Sequence, residues 1–113
     1  MIELETILQN EVKNKSYIYL YYNEEGTWWA FSHSAFFLNL LLPSLKVMKE
    51  YDPSYDMHIV SIPVPEDLFP QLLESCKTLI DDDFIRIEVP TVICQHRNEF
   101  DQWCGTIVML QTN

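Results

Sequence analysis

Two short aromatic segments separated by a four-residue turn constrain the fold of this chain more than any other feature. Residues 17–22 read Tyr-Ile-Tyr-Leu-Tyr-Tyr, and residues 27–31 read Thr-Trp-Trp-Ala-Phe. Aromatic and β-branched residues favour strands, and the intervening Asn-Glu-Glu-Gly has the length of a hairpin loop. Strand alternation places Trp28 and Trp29 on opposite faces. The sequence therefore predicts an antiparallel hairpin with aromatic side chains on both faces.

Helical and strand patterns alternate along the rest of the chain. Helices are expected at about residues 2–12, 33–42 and 68–80, with Ser32 and Asp67 as N-caps of the second and third. Further strands are expected at residues 45–51, 57–63, 84–89, 92–94 and 106–110. Because the helices interleave with hairpins, the predicted class is α+β, with a mixed, largely antiparallel sheet and helices packed on it.

Size and composition indicate one folded domain. The chain has 113 residues, of which 48% are hydrophobic, so a single domain over residues 1–113 can bury a substantial core. The longest apolar run, at 35–42, falls short of the roughly 20 residues that a membrane-spanning helix needs. The N-terminus has neither the basic nor the apolar region of a signal peptide. We expect a cytoplasmic protein without a membrane partner.

The charge balance bears on the class of partner. Seventeen acidic residues against seven basic ones give a formal net charge of −10. A domain with this balance is repelled on average by phosphate backbones and anionic lipid. The lysines and arginines are also scattered along the chain, so a nucleic-acid partner is possible but disfavoured by charge.

The order of these elements resembles the N-terminal mismatch-recognition domain of the MutS family, over residues of about 16 to 90. Residues 17–22 match an aromatic and aliphatic strand of that family, and residues 26–31 lie where MutS proteins carry Gly-Asp-Phe-Tyr-Glu. Ser34-Ala35 resembles the Asp-Ala that opens the next helix of the family. Residues 58–63 resemble its strand ending in Gly-Val-Pro. The resemblance implies a similar scaffold and a binding rather than a catalytic role.

The same resemblance implies a role for one tryptophan. In MutS the Phe of the matched segment stacks on a mispaired base, and the Glu two residues later hydrogen-bonds to that base. Trp28 occupies the Phe position here and retains an aromatic face for stacking. Ala30 occupies the Glu position and offers no side-chain acceptor.

Catalytic and metal-binding patterns are weak. Cys94, His96 and Cys104 lack a fourth ligand with zinc-site spacing, and no orienting group marks a Cys–His nucleophile. Asp81-Asp82-Asp83 lacks the alternating acids of a calcium loop. Cys76 is expected on a buried helix face, and all three cysteines are expected to be free thiols. We therefore predict no catalytic residues, no metal and no cofactor.

These observations favour a non-catalytic binding module, with protein interaction as its main role. The predicted contact surface is the aromatic hairpin around Tyr19, Tyr21, Trp28 and Trp29, although these rings would belong to the core if helices covered both faces. The partner is expected to be another protein or a second copy of the chain. The alternative is a nucleic-acid-binding accessory protein that uses Trp28 for stacking.

Overall fold

The computed structural model describes residues 3–23, 25–75, 77–80 and 84–107. This part of the chain consists of short helices and strands, with two single turns of 3₁₀ helix. In chain order the elements are α1 (Leu4–Lys13), β1 (Tyr17–Tyr22), β2 (Trp28–Phe31), α2 (Ser32–Leu41), β3 (Met48–Asp52), β4 (Met57–Val64), a 3₁₀ turn (Glu66–Leu68), α3 (Phe69–Ser75), β5 (Thr78–Ile80), β6 (Phe84–Glu88), α4 (Thr91–Cys94), a second 3₁₀ turn (Arg97–Glu99) and α5 (Phe100–Thr106).

The described strands form one six-stranded sheet in the order β3-β4-β2-β1-β6-β5, and each neighbouring pair is antiparallel. The predicted hairpin of β1 and β2 is confirmed, with Tyr21 opposite Trp29 and Tyr22 opposite Trp28. The predicted class is also confirmed: the fold is α+β, with an antiparallel sheet and helices packed on it.

One face of the sheet carries the main hydrophobic core. Ile18, Ala30 and Ile62 project from the three central strands and have no exposed surface. The apolar helix α2 packs across these strands and buries Phe37 and Leu38 completely. The other sides of α2 contact α1, α4 and α5. The chain therefore covers this apolar helix by its own strands and helices.

The opposite face of the sheet carries a second, smaller set of aromatic side chains. Tyr21 and Trp29 are cross-strand neighbours on this face, and Phe31 follows two residues after Trp29 on the same side. Helix α1 lies beside them, since its Leu4 and Ile7 line a groove together with these three rings. Tyr21 and Ile7 are buried there, at 2% and 5% exposure.

The helix expected at residues 68–80 is wrong in length and in its N-cap. The described helix is α3, which ends at Ser75, and a 3₁₀ turn beginning at Glu66 precedes it, so Asp67 is not a cap. Residues 78–80 are a strand that pairs with β6. The apolar stripe that suggested a long helix is therefore divided between two elements, because pairing with β6 determines the conformation of its second half. Cys76 and residues 81–83 lie outside the described residues.

The predicted strands of the C-terminal region are also corrected. Residues 91–94 form the helical turn α4 instead of a strand. Thr106 belongs to α5, which continues through Gly105. The remaining residues of the strand expected at 106–110 lie outside the described residues, apart from Ile107, which follows the helix. Short β-branched runs such as these favour strands locally, whereas in this fold they form helical turns that pack against α2.

The N-terminus of α2 is stabilised differently from the prediction. The helix begins at Ser32, which has a left-handed φ of +51°, and no flanking side chain caps it. Ser32 is therefore not the N-cap. Instead, the Glu11 carboxylate of α1 accepts a hydrogen bond from the backbone N–H of Ser34 at 2.8 Å. A carboxylate is favourable at this end of a helix because the first N–H groups carry partial positive charge.

Candidate binding groove

A groove of about 370 Å³ opens on the sheet face beside α1. This volume falls in the range of about 300–1,000 Å³ that ligand pockets occupy. Its central wall is formed by Tyr21, Trp29 and Phe31, and Met48 and Glu50 of β3 lie at another side. We call this site the Trp29 groove.

Strand pairing brings these residues together from distant parts of the chain. Phe31 of β2 lies opposite Ser61 of β4, and Ser61 lies opposite Met48 of β3. The rings of Trp29 and Phe31 are nearly parallel, with centroids 6.4 Å apart, and Tyr21 and Phe31 are 6.3 Å apart. Neighbouring strands in register therefore build a continuous aromatic and aliphatic surface.

The indole N–H of Trp29 and the hydroxyl of Tyr21 are both buried in this wall. Nε1 is buried, and among the described residues no atom accepts its hydrogen bond. An indole N–H is a donor only, and leaving such a donor buried without an acceptor costs about 1–3 kcal/mol.

The four predicted contact residues do not lie on a single surface. Tyr19, Tyr21 and Trp29 share one face, where Tyr19 is half-buried against Phe84 and Tyr21 is almost fully buried. Trp28 lies on the other face. The structure thus places Tyr21 and Trp29 in one groove, and it places Trp28 elsewhere.

Trp28 packs against the edge of the main core. Its ring centroid lies 4.9 Å from that of Tyr22 and 5.8 Å from that of Phe69. The ring that the MutS resemblance assigns to base stacking therefore already has two aromatic neighbours within the chain.

Sequence reasoning missed the residues that α1 and β3 contribute to the groove. Leu4 and Ile7 belong to an ordinary amphipathic helical pattern, and Met48 and Glu50 to an ordinary strand pattern. Neither pattern indicates which face of the sheet helix α1 covers. Alternation along β2 was the one sequence signal, since it separates Trp29 from Trp28.

A buried polar cluster lies next to the aromatic face, at the junction of α1, α2 and β1. Glu11, Asn14 and Ser34 are each at most 4% exposed. The Asn14 amide donates to Glu11 at 3.2 Å and to the Ser34 hydroxyl at 3.1 Å. This cluster satisfies its own hydrogen bonds, so its arrangement is structural rather than that of an open site.

Burial raises the pKa of Glu11 to about 7, even though hydrogen bonds from Ser34 and Asn14 favour the ionised carboxylate. Burial, followed by the nearby Glu11 charge, also raises the pKa of Tyr21. Both shifts arise because a charge in the interior loses its hydration. Burial thus favours the neutral forms of Glu11 and Tyr21.

A second groove, of about 330 Å³, lies between α1 and the β3–β4 turn, and its lining includes His33 and Tyr55. The His33 ring stacks on Phe100 with centroids 4.1 Å apart. Burial is the main cause that lowers the pKa of His33. Although Glu11 and Ser34 are close by, the Ser34 hydroxyl is fully buried and bonded to Glu11, so these residues do not expose a nucleophile.

The cysteine and histidine residues near the C-terminus do not form an activated pair. Burial raises the pKa of the Cys94 thiol, and it raises that of Cys104 to about 11. A nucleophilic or metal-binding thiol needs a lowered pKa. His96 pairs with the Glu99 carboxylate, and both described cysteines are free and half-buried.

Within residues 3–23, 25–75, 77–80 and 84–107, no three His, Cys, Asp or Glu side chains lie close enough together to hold a metal ion. Over the same residues no helix is both long enough and apolar enough to cross a bilayer.

Comparisons with known proteins leave the Trp29 groove as the main guide to function. No protein-family model, no curated protein and no solved structure matches this chain.

Proposed function

We propose that this chain is a non-catalytic binding module that accepts a peptide segment of a partner protein in the Trp29 groove. The observation that carries the proposal is the apolar groove walled by the rings of Tyr21, Trp29 and Phe31. Apolar walls with a small number of polar groups are typical of ligand sites. Tryptophan and tyrosine are also the residue types that dominate binding energy at protein interfaces.

A polypeptide segment suits this groove because an open apolar groove of this size can accept several side chains. Side chains of the same segment can fill the space between Leu4, Phe31 and Met48. The proposal keeps a scaffold similar to the MutS mismatch-recognition domain as a hypothesis. It moves the contact surface from the whole hairpin to the face that bears Tyr21 and Trp29.

The test is a selection of random peptides on the immobilised protein, followed by affinity measurements with two matched variants. Trp29→Phe reduces the ring area at the groove wall, and Trp28→Phe makes the same change on the opposite face. Selected peptides should bind Trp29→Phe about tenfold more weakly, a loss of about 1.4 kcal/mol. Their affinity for Trp28→Phe should be unchanged. Failure to select any peptide, or equal affinity for both variants, would contradict the proposal.

Nucleic-acid binding through Trp28 is the alternative, and three observations weigh against it. Trp28 already packs against two rings of the chain. The formal net charge is −10. Arg97 is bonded to backbone carbonyls, and the Arg86 guanidinium lies over a tyrosine ring.

Labelled matched, mismatched and single-stranded DNA, titrated at low and moderate salt, test this alternative. Saturable binding that weakens with salt and is lost in Trp28→Ala would favour the nucleic-acid function. We expect no binding, even at low salt.

A further inference from the structure

We infer that the partner segment binds as an extended strand that pairs antiparallel with β3, so that every second side chain of the segment faces the Trp29 groove. The inference rests on the proposed function, to which it adds the conformation and the register of the bound peptide. Two observations carry it: the position of β3 beside the groove, and the direction of the backbone groups along its outer side.

Strand β3 forms one edge of the sheet and also one side of the groove. Among the described strands it pairs with β4 alone. Its Met48 and Glu50 line the groove together with Ser61 of β4 and Phe31 of β2. A strand added outside β3 would therefore extend the groove. The other edge strand, β5, has three residues and is separated from β1 by β6, so it adjoins a different part of the sheet.

The hairpin of β1 and β2 fixes the direction of the backbone groups across the sheet. The Asn23 N–H donates to the Thr27 carbonyl at 3.0 Å, so the backbone of Thr27 faces β1. Because hydrogen-bonded pairs alternate along antiparallel strands, Ala30 faces β4, where Ile62 lies opposite. Pro63 then faces away from β2. This direction suits a proline, which has no N–H to donate to β2.

The same alternation gives the direction of the backbone groups of β3. Ile59, three residues before Ile62, faces β3, where Glu50 lies opposite. Glu50 therefore bonds to β4, and its neighbours Lys49 and Tyr51 direct their backbone N–H and C=O groups away from the sheet. An edge of this kind is a template for a further strand. An extended peptide supplies the matching row of acceptors and donors.

The side chains of these two edge residues are held within the chain. Lys49 Nζ donates to the Cys104 carbonyl at 2.9 Å, and the Tyr51 hydroxyl donates to the Asp56 carboxylate. Strand alternation places both side chains on the face opposite the groove. The edge therefore binds through its main-chain groups, whereas the groove selects the side chains of the segment.

The register predicts which residues of the segment enter the groove. Residues directly opposite each other on antiparallel strands carry their side chains on the same face. The segment residues opposite Met48 and Glu50 therefore face the groove, and their own N–H groups point to solvent. The residues opposite Lys49 and Tyr51 face the other side, and their N–H groups bond to β3. Side-chain selection and main-chain bonding thus fall on alternate residues.

The test uses a capped heptapeptide pool with leucine, isoleucine, valine or phenylalanine at odd positions and serine or threonine at even positions. Two matched pools carry backbone N-methyl groups, one at the odd and one at the even positions. Because the apolar residues should face the groove, methylation at odd positions should change the affinity by less than about twofold. Methylation at even positions removes the N–H groups that bond to β3 and should weaken binding at least about tenfold.

Amide hydrogen exchange of the protein locates the pairing. The amides of Lys49 and Tyr51 should exchange rapidly in the free protein and become protected when the unmethylated pool binds. The amide of Glu50, which bonds to β4 in both states, should change little. Protection that alternates along β3 in this way is specific to an added strand.

Two variants test the edge from the side of the protein. Tyr51→Pro removes one outward N–H, a change that an edge strand tolerates. Tyr51→Thr removes the same ring and hydroxyl but keeps the N–H, so it is the matched control. The unmethylated pool should bind Tyr51→Pro about tenfold more weakly than Tyr51→Thr. If Tyr51→Pro does not fold, the methylated pools and the exchange data decide the question.

The outcomes distinguish this inference from the proposed function. Equal affinity of the two methylated pools would overturn strand pairing. Protection of Lys49 and Tyr51 in the free protein would also overturn it; if this protection falls on dilution, a second copy of the chain occupies the edge. If the alternating pool does not bind but selected random peptides bind through Trp29, the peptide-binding module stands and the strand is wrong. If neither binds, both are overturned.

Discussion

The hydroxyl of Ser34 donates a hydrogen bond to the Glu11 carboxylate at 2.7 Å, and both residues are at most 1% exposed. The same hydroxyl accepts a hydrogen bond from the backbone N–H of Tyr19 at 2.9 Å. Tyr19 precedes Tyr21 and Tyr22, the residues of β1 that pair with β2. One serine therefore joins α1, α2 and β1. This contact fixes α1 beside the aromatic face and so helps to form the groove.

Glu11 should make the stability of the protein depend on pH. Its pKa is about 7 in the folded protein against 4.5 as the ordinary value. The folded state therefore holds the proton more tightly, and the contribution of Glu11 to stability is largest below about pH 4.5. As the pH rises to about 7, the free energy of unfolding should fall by about 3 kcal/mol from this group.

Urea unfolding of the wild type and Glu11→Gln at several values between about pH 5 and pH 8 measures this effect. The wild type should lose stability relative to the variant as the pH rises. Both proteins contain His33 and Tyr21, so their titrations largely cancel in the difference. Glu5→Gln removes an exposed carboxylate from the same helix and should run parallel to the wild type. Parallel curves for Glu11→Gln would contradict the prediction.

Ser34→Ala should destabilise the fold by about 2–3 kcal/mol, because it removes the buried hydrogen bonds that the Tyr19 N–H donates and that Oε2 of Glu11 accepts. The denaturation midpoint in urea gives the change. Ser44→Ala makes the same substitution at an exposed position and should change stability by less than about 0.5 kcal/mol. Equal effects of the two substitutions would show that the Ser34 hydroxyl is not a structural contact.

Arg97→Gln should loosen the contact between the C-terminal region and α1. Its Nε donates to the Asn14 carbonyl at 2.8 Å and its Nη2 to the Val12 carbonyl at 3.2 Å. These bonds satisfy carbonyls at the end of α1, so their loss should cost about 1–2 kcal/mol.

Amide hydrogen exchange measures the effect of Arg97→Gln, because the protection of the backbone amides in the last turn of α1 should fall. Arg97→Lys keeps the charge but not the forked donor, and it should restore the protection only in part. Lys46→Gln, at an exposed position, is the matched control for loss of a positive charge. Unchanged protection in Arg97→Gln would contradict this role.

Local sequence patterns predicted the elements whose signals are strong over a short distance. Strand composition and turn length predicted the β1–β2 hairpin, and alternation predicted that Trp28 and Trp29 lie on opposite faces. The apolar residues of the helix predicted at residues 33–42 indicated that it is buried, and five consecutive residues of α2, at 34–38, are buried. These features depend on backbone preference and on side-chain periodicity, both of which are properties of neighbouring residues.

Tertiary structure alone decided the elements and contacts that depend on distant partners. Thr78–Ile80 is a strand because β6 provides backbone hydrogen-bonding partners, although its apolar residues continue a helical stripe. Glu11 caps α2 from α1, and no pattern near Ser34 indicates that carboxylate. The Trp29 groove likewise requires β3, β4 and α1 to meet on one face. Burial and hydrogen bonding between residues far apart in sequence therefore determine the site, whereas local periodicity determines the scaffold.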